Sequence, residues 1–173
     1  GRAHNLDEAI AISQLDVSFI EISLDDPETV SHWIPRLLEL KNTRGVYFLA
    51  HYPNEDNPFD LDILKEKFLP RIQTLMNLSR QIDIHKATIH FWMDKRWAPA
   101  ELIRGKLDIL TRIVECGNEH GITVCIENLS ERADSFDPAF KAIPDLRMTL
   151  DIGHGQLLAK QNTSFRFIEE HCS

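Results

Sequence analysis

No stretch of the 173 residues approaches the ~20 consecutive apolar positions that a membrane helix needs. The opening residues, Gly1-Arg2-Ala3-His4-Asn5, lack the apolar core of a secretory signal. A cytoplasmic location is therefore the default expectation, with no membrane partner. Cysteine is scarce: Cys116, Cys125 and Cys172 form no Cys-x-x-Cys pair and are odd in number. Free thiols in a reducing compartment are expected rather than a disulfide framework. Cys125 lies in an apolar run and reads as core. No Gly-x-Gly-x-x-Gly follows any apolar run, which counts against a dinucleotide-binding fold. There is no low-complexity tract, no linker and no basic run. With a net charge of −8 the chain has no generic attraction to nucleic acid or to an anionic membrane. A local basic patch beside a metal can still bind phosphate, so nucleic acid is disfavoured as a partner without being excluded.

What is present suits one ordinary domain over 1–173. Hydrophobic residues make up 43% and charged residues 27%, which is the balance of a globular chain with a core, not of a disordered one. A helical stretch followed by a short apolar run recurs five times. Asn5-Leu6-Asp7-Glu8 has the pattern of a capping box and predicts a helix to about Leu15. A strand follows at 17–22. Asp26-Pro27 opens the next helix, and Gly45 ends it. Strand 46–51 and a loop rich in Asn, Asp and Pro lead to a long helical stretch over 60–82, which Pro70 is expected to break or kink. Strand 87–91, a helix over 99–120 stopped at Gly121, strand 122–127, a short helix at 138–142, strand 147–151 and a final helix from about 163 complete the reading. The strands are continuous apolar runs, as in a parallel sheet covered by helices. From the pattern alone an open doubly wound sheet and a (β/α)8 barrel both remain. In either, ligand chemistry gathers at the carboxyl ends of the strands.

The polar residues closing the predicted strands are Glu21, His51, His90, Glu127 and Asp151. Each can bind a metal or move a proton, and a parallel sheet points all of these ends one way. His154 follows Asp151 by three positions, between Gly153 and Gly155, and the glycines are expected to turn the backbone tightly and bring both side chains to one site. Imidazoles and carboxylates together suit a divalent metal such as Zn, Mn, Mg or Co. Singly, each residue has an ordinary explanation. A histidine at a strand end is often a plain polar loop residue, and Glu127-Asn128 can be a turn. A charged Asp151 after Met148-Thr149-Leu150 is costly unless paired or ligated. Their joint appearance at consecutive strand ends is the stronger signal. His4, His32, His85, His120 and His171 are assigned no role.

These residues sit in short motifs: Phe19-Ile20-Glu21-Ile22, Ala50-His51-Tyr52-Pro53, Thr88-Ile89-His90, Cys125-Ile126-Glu127-Asn128-Leu129 and Leu150-Asp151-Ile152-Gly153-His154. In this order the chain resembles the xylose isomerase-like TIM barrel superfamily. That group holds sugar and sugar-phosphate isomerases and epimerases, together with AP endonuclease family 2 enzymes of the endonuclease IV type. The resemblance implies a partial (β/α)8 TIM barrel lacking the equivalents of the first and the last two strands, and so a piece of a longer barrel. It implies that Glu127 is both metal ligand and catalytic acid/base, and that Asp151 is a second ligand. His154 is then a further ligand or a catalytic contact to substrate. His51 and His90 match endonuclease metal ligands and, in the isomerase branch, line the sugar pocket beside Glu21. Trp92 and Trp97 offer apolar faces for a sugar to stack on, or pack as ordinary aromatics.

Three functions follow as expectations. The first is an isomerase or epimerase of a sugar-like small molecule. The second is a metal-dependent phosphodiesterase acting at abasic DNA sites. The third is a non-catalytic truncated barrel whose open sheet edges need a partner, for which a homo-oligomer is one solution.

Overall fold

The computed structural model describes residues 2–157, 166 and 168–170. Its strands are β1 (Arg2–Ala3), β2 (Phe19–Ser23), β3 (Tyr47–His51), β4 (Lys86–Ile89), β5 (Thr123–Glu127) and β6 (Arg147–Thr149). They form one sheet in sequence order, every neighbouring pair parallel. The helices between and after them are α1 (Leu6–Ile12), α2 (Pro27–Arg44), α3 (Leu61–Ile63), α4 (Leu69–Gln81), α5 (Ala100–His120), α6 (Asp137–Ala142) and α7 (Ile152–Leu157). This is the consecutive strand order of a barrel, and it settles the choice against a doubly wound sheet, in which the order reverses. None of the described helices is long and apolar enough to cross a membrane.

Local chemistry places most boundaries. The Asn5 side chain accepts from the Glu8 N–H at 2.9 Å, and the Glu8 carboxylate accepts from the His4 N–H at 2.8 Å, so each residue satisfies a donor the helix start leaves open. Asp26 caps α2 through the Thr29 N–H at 2.8 Å with Pro27 in the first turn. Gly45 and Gly121 end α2 and α5 with φ of +69°, a left-handed conformation that costs a side-chain-bearing residue more. The expected break at Pro70 takes another form. A single π turn, Leu64–Phe68, joins α3 to α4, and the helical path continues through the proline. Proline has no N–H to give the preceding turn and its ring crowds the carbonyl there; one wide turn just before it absorbs both demands.

Two expectations are corrected. A strand does precede the first helix: Arg2 pairs with Glu21 and Ala3 with Ile22. Two residues are too short a run for periodicity to reveal. The second strand ends at Ser23, so Glu21 does not close it. The final helix expected from about 163, with Cys172, lies largely outside the described residues.

Strand side chains alternate between two environments. Ile20, Ile22, Phe48, Ala50, Ala87, Ile89, Val124 and Ile126 are buried in the core shared with the helices. Each fully buried Ile or Phe contributes about 1.5–3 kcal/mol relative to exposure. The alternate residues line the inner face: Glu21 and Ser23, Leu49 and His51, Thr88, Cys125 and Glu127, then Thr149. The register sets Ser23 beside His51, His51 beside Thr88, Thr88 beside Cys125 and Glu127 beside Thr149. Cys125, read from the sequence as plain core, belongs to this inner row. It is buried, but its neighbours across the strands are Thr88 and Arg147 rather than helix side chains.

Candidate metal centre

His51 is the last residue of β3 and Glu127 the last of β5; His90 follows β4 directly, and Asp151 lies two residues beyond β6. Because the strands are parallel and staggered, all four reach the same end of the sheet. One oxygen of Glu127, Oε2, lies 3.1 Å from His51 Nε2 and 3.1 Å from His90 Nε2. The two imidazoles meet edge to face with centroids 4.7 Å apart. The other oxygen, Oε1, faces His154 Nδ1 at 3.6 Å, and Asp151 Oδ2 lies 3.9 Å from the same nitrogen. His51 and Glu127 are buried, while Asp151 and His154 are about one-third exposed and form the open side.

A helix start builds that open side, and here the sequence reading needs correction. Gly153 and Gly155 make no left-handed turn; both lie within α7. Asp151 caps the helix, its Oδ1 accepting from the His154 N–H at 2.7 Å, while the Gly155 N–H bonds to the Asp151 carbonyl at 3.1 Å. A Cβ on Gly153 would stand 3.0 Å from that carboxylate oxygen, so glycine leaves room for the cap rather than bending the chain. Asn128 locks the arrangement to β5. Its amide accepts from the Asp151 N–H at 2.8 Å and donates to the Asp151 carbonyl at 2.9 Å. Its own carbonyl accepts from His154 Nδ1 at 2.9 Å.

The groups around Glu127 suit a cation. Burial alone would push the Glu127 carboxyl up, but hydrogen bonds from His51 and His90 outweigh it and hold the group well below the usual carboxylate range. His51 Nδ1 lies 3.2 Å from the Tyr52 carbonyl and His90 Nδ1 meets the Asn54 side-chain oxygen. Each Nε2 meets the Glu127 oxygen through a proton in the metal-free site, and with the ring proton held on Nδ1 the same nitrogen would offer its lone pair to a cation. An acceptor beyond the outer nitrogen orients a metal-binding histidine in this way. His51, His90 and Glu127 offer one group of ligand atoms within 4.8 Å of one another, and Glu127, Asp151 and His154 a second. Glu127 belongs to both. The residues fit a divalent cation.

Other sequence candidates fare differently. Glu21 faces the inner side a layer below the cluster, level with Leu49, and its side chain makes no hydrogen bond or ion pair among the described residues. Trp92 follows His90 by two residues, packs on Phe59 at 5.2 Å and donates its indole N–H to the Ser130 hydroxyl at 3.2 Å. Trp97 is 70% exposed on the next turn and takes no part in the cluster. Asn54 and Asn128 were not singled out, although each stands within three residues of a strand-end candidate. Cys116, Glu119 and His120 form a further group with ligand-capable atoms on α5. There, His120 Nδ1 caps the Cys116 carbonyl at 2.8 Å and burial pushes the thiol pKa up, so the group reads as a helix end.

No family model matches the sequence, and no curated protein is significantly similar to it. Solved structures are. A D-tagatose 3-epimerase-like protein superposes with a TM-score of 0.81 at 21% identity over 96% of this chain and 67% of its own. A xylose isomerase domain protein from Planctomyces limnophilus gives 0.77 at 12% identity, over 94% and 64%. An L-ribulose 3-epimerase gives 0.73 at 15%, over 88% and 57%. The chain thus spans roughly 57–67% of the length of these three structures. At such identities the likeness speaks for architecture alone: the chain has the (β/α)-barrel fold that these structures share, over six consecutive parallel strands.

Proposed function

We propose that this chain carries the metal- and carboxylate-bearing part of a sugar or sugar-phosphate isomerase or epimerase. The observation that carries the reading is Glu127: a buried, ionised carboxylate at the strand ends, one oxygen on two imidazoles and the other facing a third. Sugar 3-epimerases with the same fold support it. Glu127 and Asp151 would hold the cation, with His154 at the open side. A divalent cation bound there supplies Lewis acidity at neighbouring substrate oxygens. Glu127 takes a proton from the carbon beside a carbonyl, which is general acid/base work for a carboxylate held close to substrate; isomerisation returns that proton to the adjacent carbon, and epimerisation needs a second acid to deliver one from the opposite face. His154, its Nδ1 committed to the Asn128 carbonyl, presents Nε2 toward a hydroxyl. Trp92 lies at the mouth for a sugar face. The test is solvent deuterium incorporation into a panel of ketoses and aldoses, followed by proton NMR with manganese, cobalt or zinc. Exchange in the parent protein and its loss in Glu127→Gln supports the reading; exchange that survives in Glu127→Gln rejects the assigned base.

One observation favours a second reading, a metal-dependent phosphodiesterase acting at abasic DNA. His51 and His90 both address Glu127 Oε2, which gives that oxygen a ligand group of its own beside the one formed with Asp151 and His154. Two bound cations per chain and cleavage of an abasic-site oligonucleotide would select it. The net charge of −8 opposes it.

A further inference from the structure

The buried stripe of α5 contains an anomaly. Leu102, Ile109, Leu110 and Ile113 hold the helix to the core, and in the same stripe stands Lys106, with no exposed surface at all. Its ammonium pairs with Glu55 Oε1, bonds to the Pro58 carbonyl at 3.2 Å and lies 4.4 Å over the Phe91 ring. Glu55 is itself buried, in the loop that follows β3. Its second oxygen accepts the Trp92 N–H at 2.7 Å. The residue before it, Asn54, accepts from His90 Nδ1.

His90 is thus bracketed by one ion pair. Phe91 rests on the Lys106 ammonium, Trp92 is tied to Glu55, and the outer ring nitrogen of His90 is tied to the neighbour of Glu55. The Phe59–Trp92 ring contact at 5.2 Å joins the same two loops, and the ion pair adds the tie to Asn54 that meets the His90 ring. Burial pushes Glu55 up and Lys106 down despite their attraction, the usual sign that desolvation exceeds what a buried pair returns. An apolar pair of similar size would serve the core as well. What it would not do is fix Asn54 and Trp92 on either side of His90.

We infer that Lys106 and Glu55 are positioning residues that aim His90 at the Glu127 cation site. The inference rests on the metal reading of that site. His90 reaches 3.1 Å from Glu127 only if its ring is turned with Nδ1 outward, and the loop anchored by Glu55 supplies the acceptor that turns it.

The test uses the whole chain, zinc as the probe and three variants: Lys106→Met/Glu55→Gln, Asn54→Ala, and the combination. Zinc affinity is measured by competition with a chromophoric chelator, and stability by urea unfolding with chelator present. The paired variant is expected to unfold no earlier than the parent, since the buried charges leave together, yet to bind zinc about 10–100-fold more weakly, the range for loss of an outer-shell partner. Asn54→Ala should weaken zinc to a similar extent, and the combination should add little, because both act through one ring. Nitrogen-15 spectra of the metal-free protein give a second readout. His90 should show one fixed pattern of ring protonation in the parent and an averaged pattern in the paired variant. Unchanged zinc affinity with an unchanged His90 signature overturns the positioning role, as do losses that simply add. A fixed His90 signature in a parent that binds no zinc overturns the metal reading instead, and leaves the positioning role standing on the spectra.

Discussion

At the residue scale, Glu127 combines burial with an ionised charge, and the two imidazoles make that combination stable. Its folded-state pKa lies below its ordinary value near 4.5, so folding favours the ionised form. That contribution is fully present above pH 4.5 and is lost as the pH falls below it toward the folded pKa. Glu127→Gln should therefore lower the stability of the chelated protein by about 3 kcal/mol at pH 7. In urea titrations the gap between parent and variant should narrow as the pH drops below about 4.5. A gap independent of pH would assign the loss to packing instead. The chemistry of this residue was legible in the sequence, because a glutamate closing an apolar run is conspicuous. The role of Lys106 was not. One lysine in a helix that carries many charges looks solvated until the structure shows which face it occupies. Glu21 misled in the opposite direction: the strand starts and ends later than its apolar run suggests, and two residues of shift move a side chain one layer down the barrel.

At the element scale, the helix ends separate glycines that serve conformation from one that serves space. Gly45 and Gly121 have φ of +69° and nothing within 4 Å of an added Cβ. Replacing either by alanine should cost about 1 kcal/mol through backbone strain alone. The two costs should add in chemical denaturation, since the sites share no partner. Gly153 behaves otherwise. Alanine there gains up to about 1 kcal/mol of helix propensity but pushes on Asp151 Oδ1 at 3.0 Å. Gly153→Ala should leave the urea midpoint nearly unchanged while weakening metal binding, measured by chelator competition. An unaltered affinity would separate the cap from the site. The caps at Gly45 and Gly121 could be read in advance because a glycine after an apolar helical period has one common use. Gly153 and Gly155 could not, since the same spacing suits a tight turn and a short helix, and only the bonds from Asp151 decide between them.

At the scale of the whole molecule, the inner row of side chains changes character from one end of the sheet to the other. Phe19 and Tyr47 stack at 5.6 Å near the strand starts and remain 42% and 49% exposed, while the opposite end carries the buried carboxylate and its imidazoles. Hydrophobic packing holds the strands to the helices, but the tip of the inner face is joined by polar groups alone, with Thr88 and Thr149 sharing a hydrogen bond at 2.9 Å just beneath them. A cation bound at Glu127 would therefore tie β3, β4, β5 and the start of α7 together, and binding that requires all four should appear as global stability. At a free metal concentration 100 times the dissociation constant, linkage gives about 2.7 kcal/mol. For a chain of this size that corresponds to roughly 5–10 °C in the thermal midpoint. Zinc or manganese should raise the melting temperature by that amount over chelated protein, and Glu127→Gln should abolish the rise. Asp151→Ala should reduce it while making the metal-free protein less stable by only about 1 kcal/mol, the worth of one helix cap. If Glu127→Gln keeps the full rise and Cys116→Ser loses it, the stabilising cation sits on α5 and not at the strand ends. The two clusters differ in sulfur, so the cobalt spectra of the same variants separate them directly: a thiolate charge-transfer band belongs to Cys116, and its absence leaves the oxygen and nitrogen ligands gathered around Glu127.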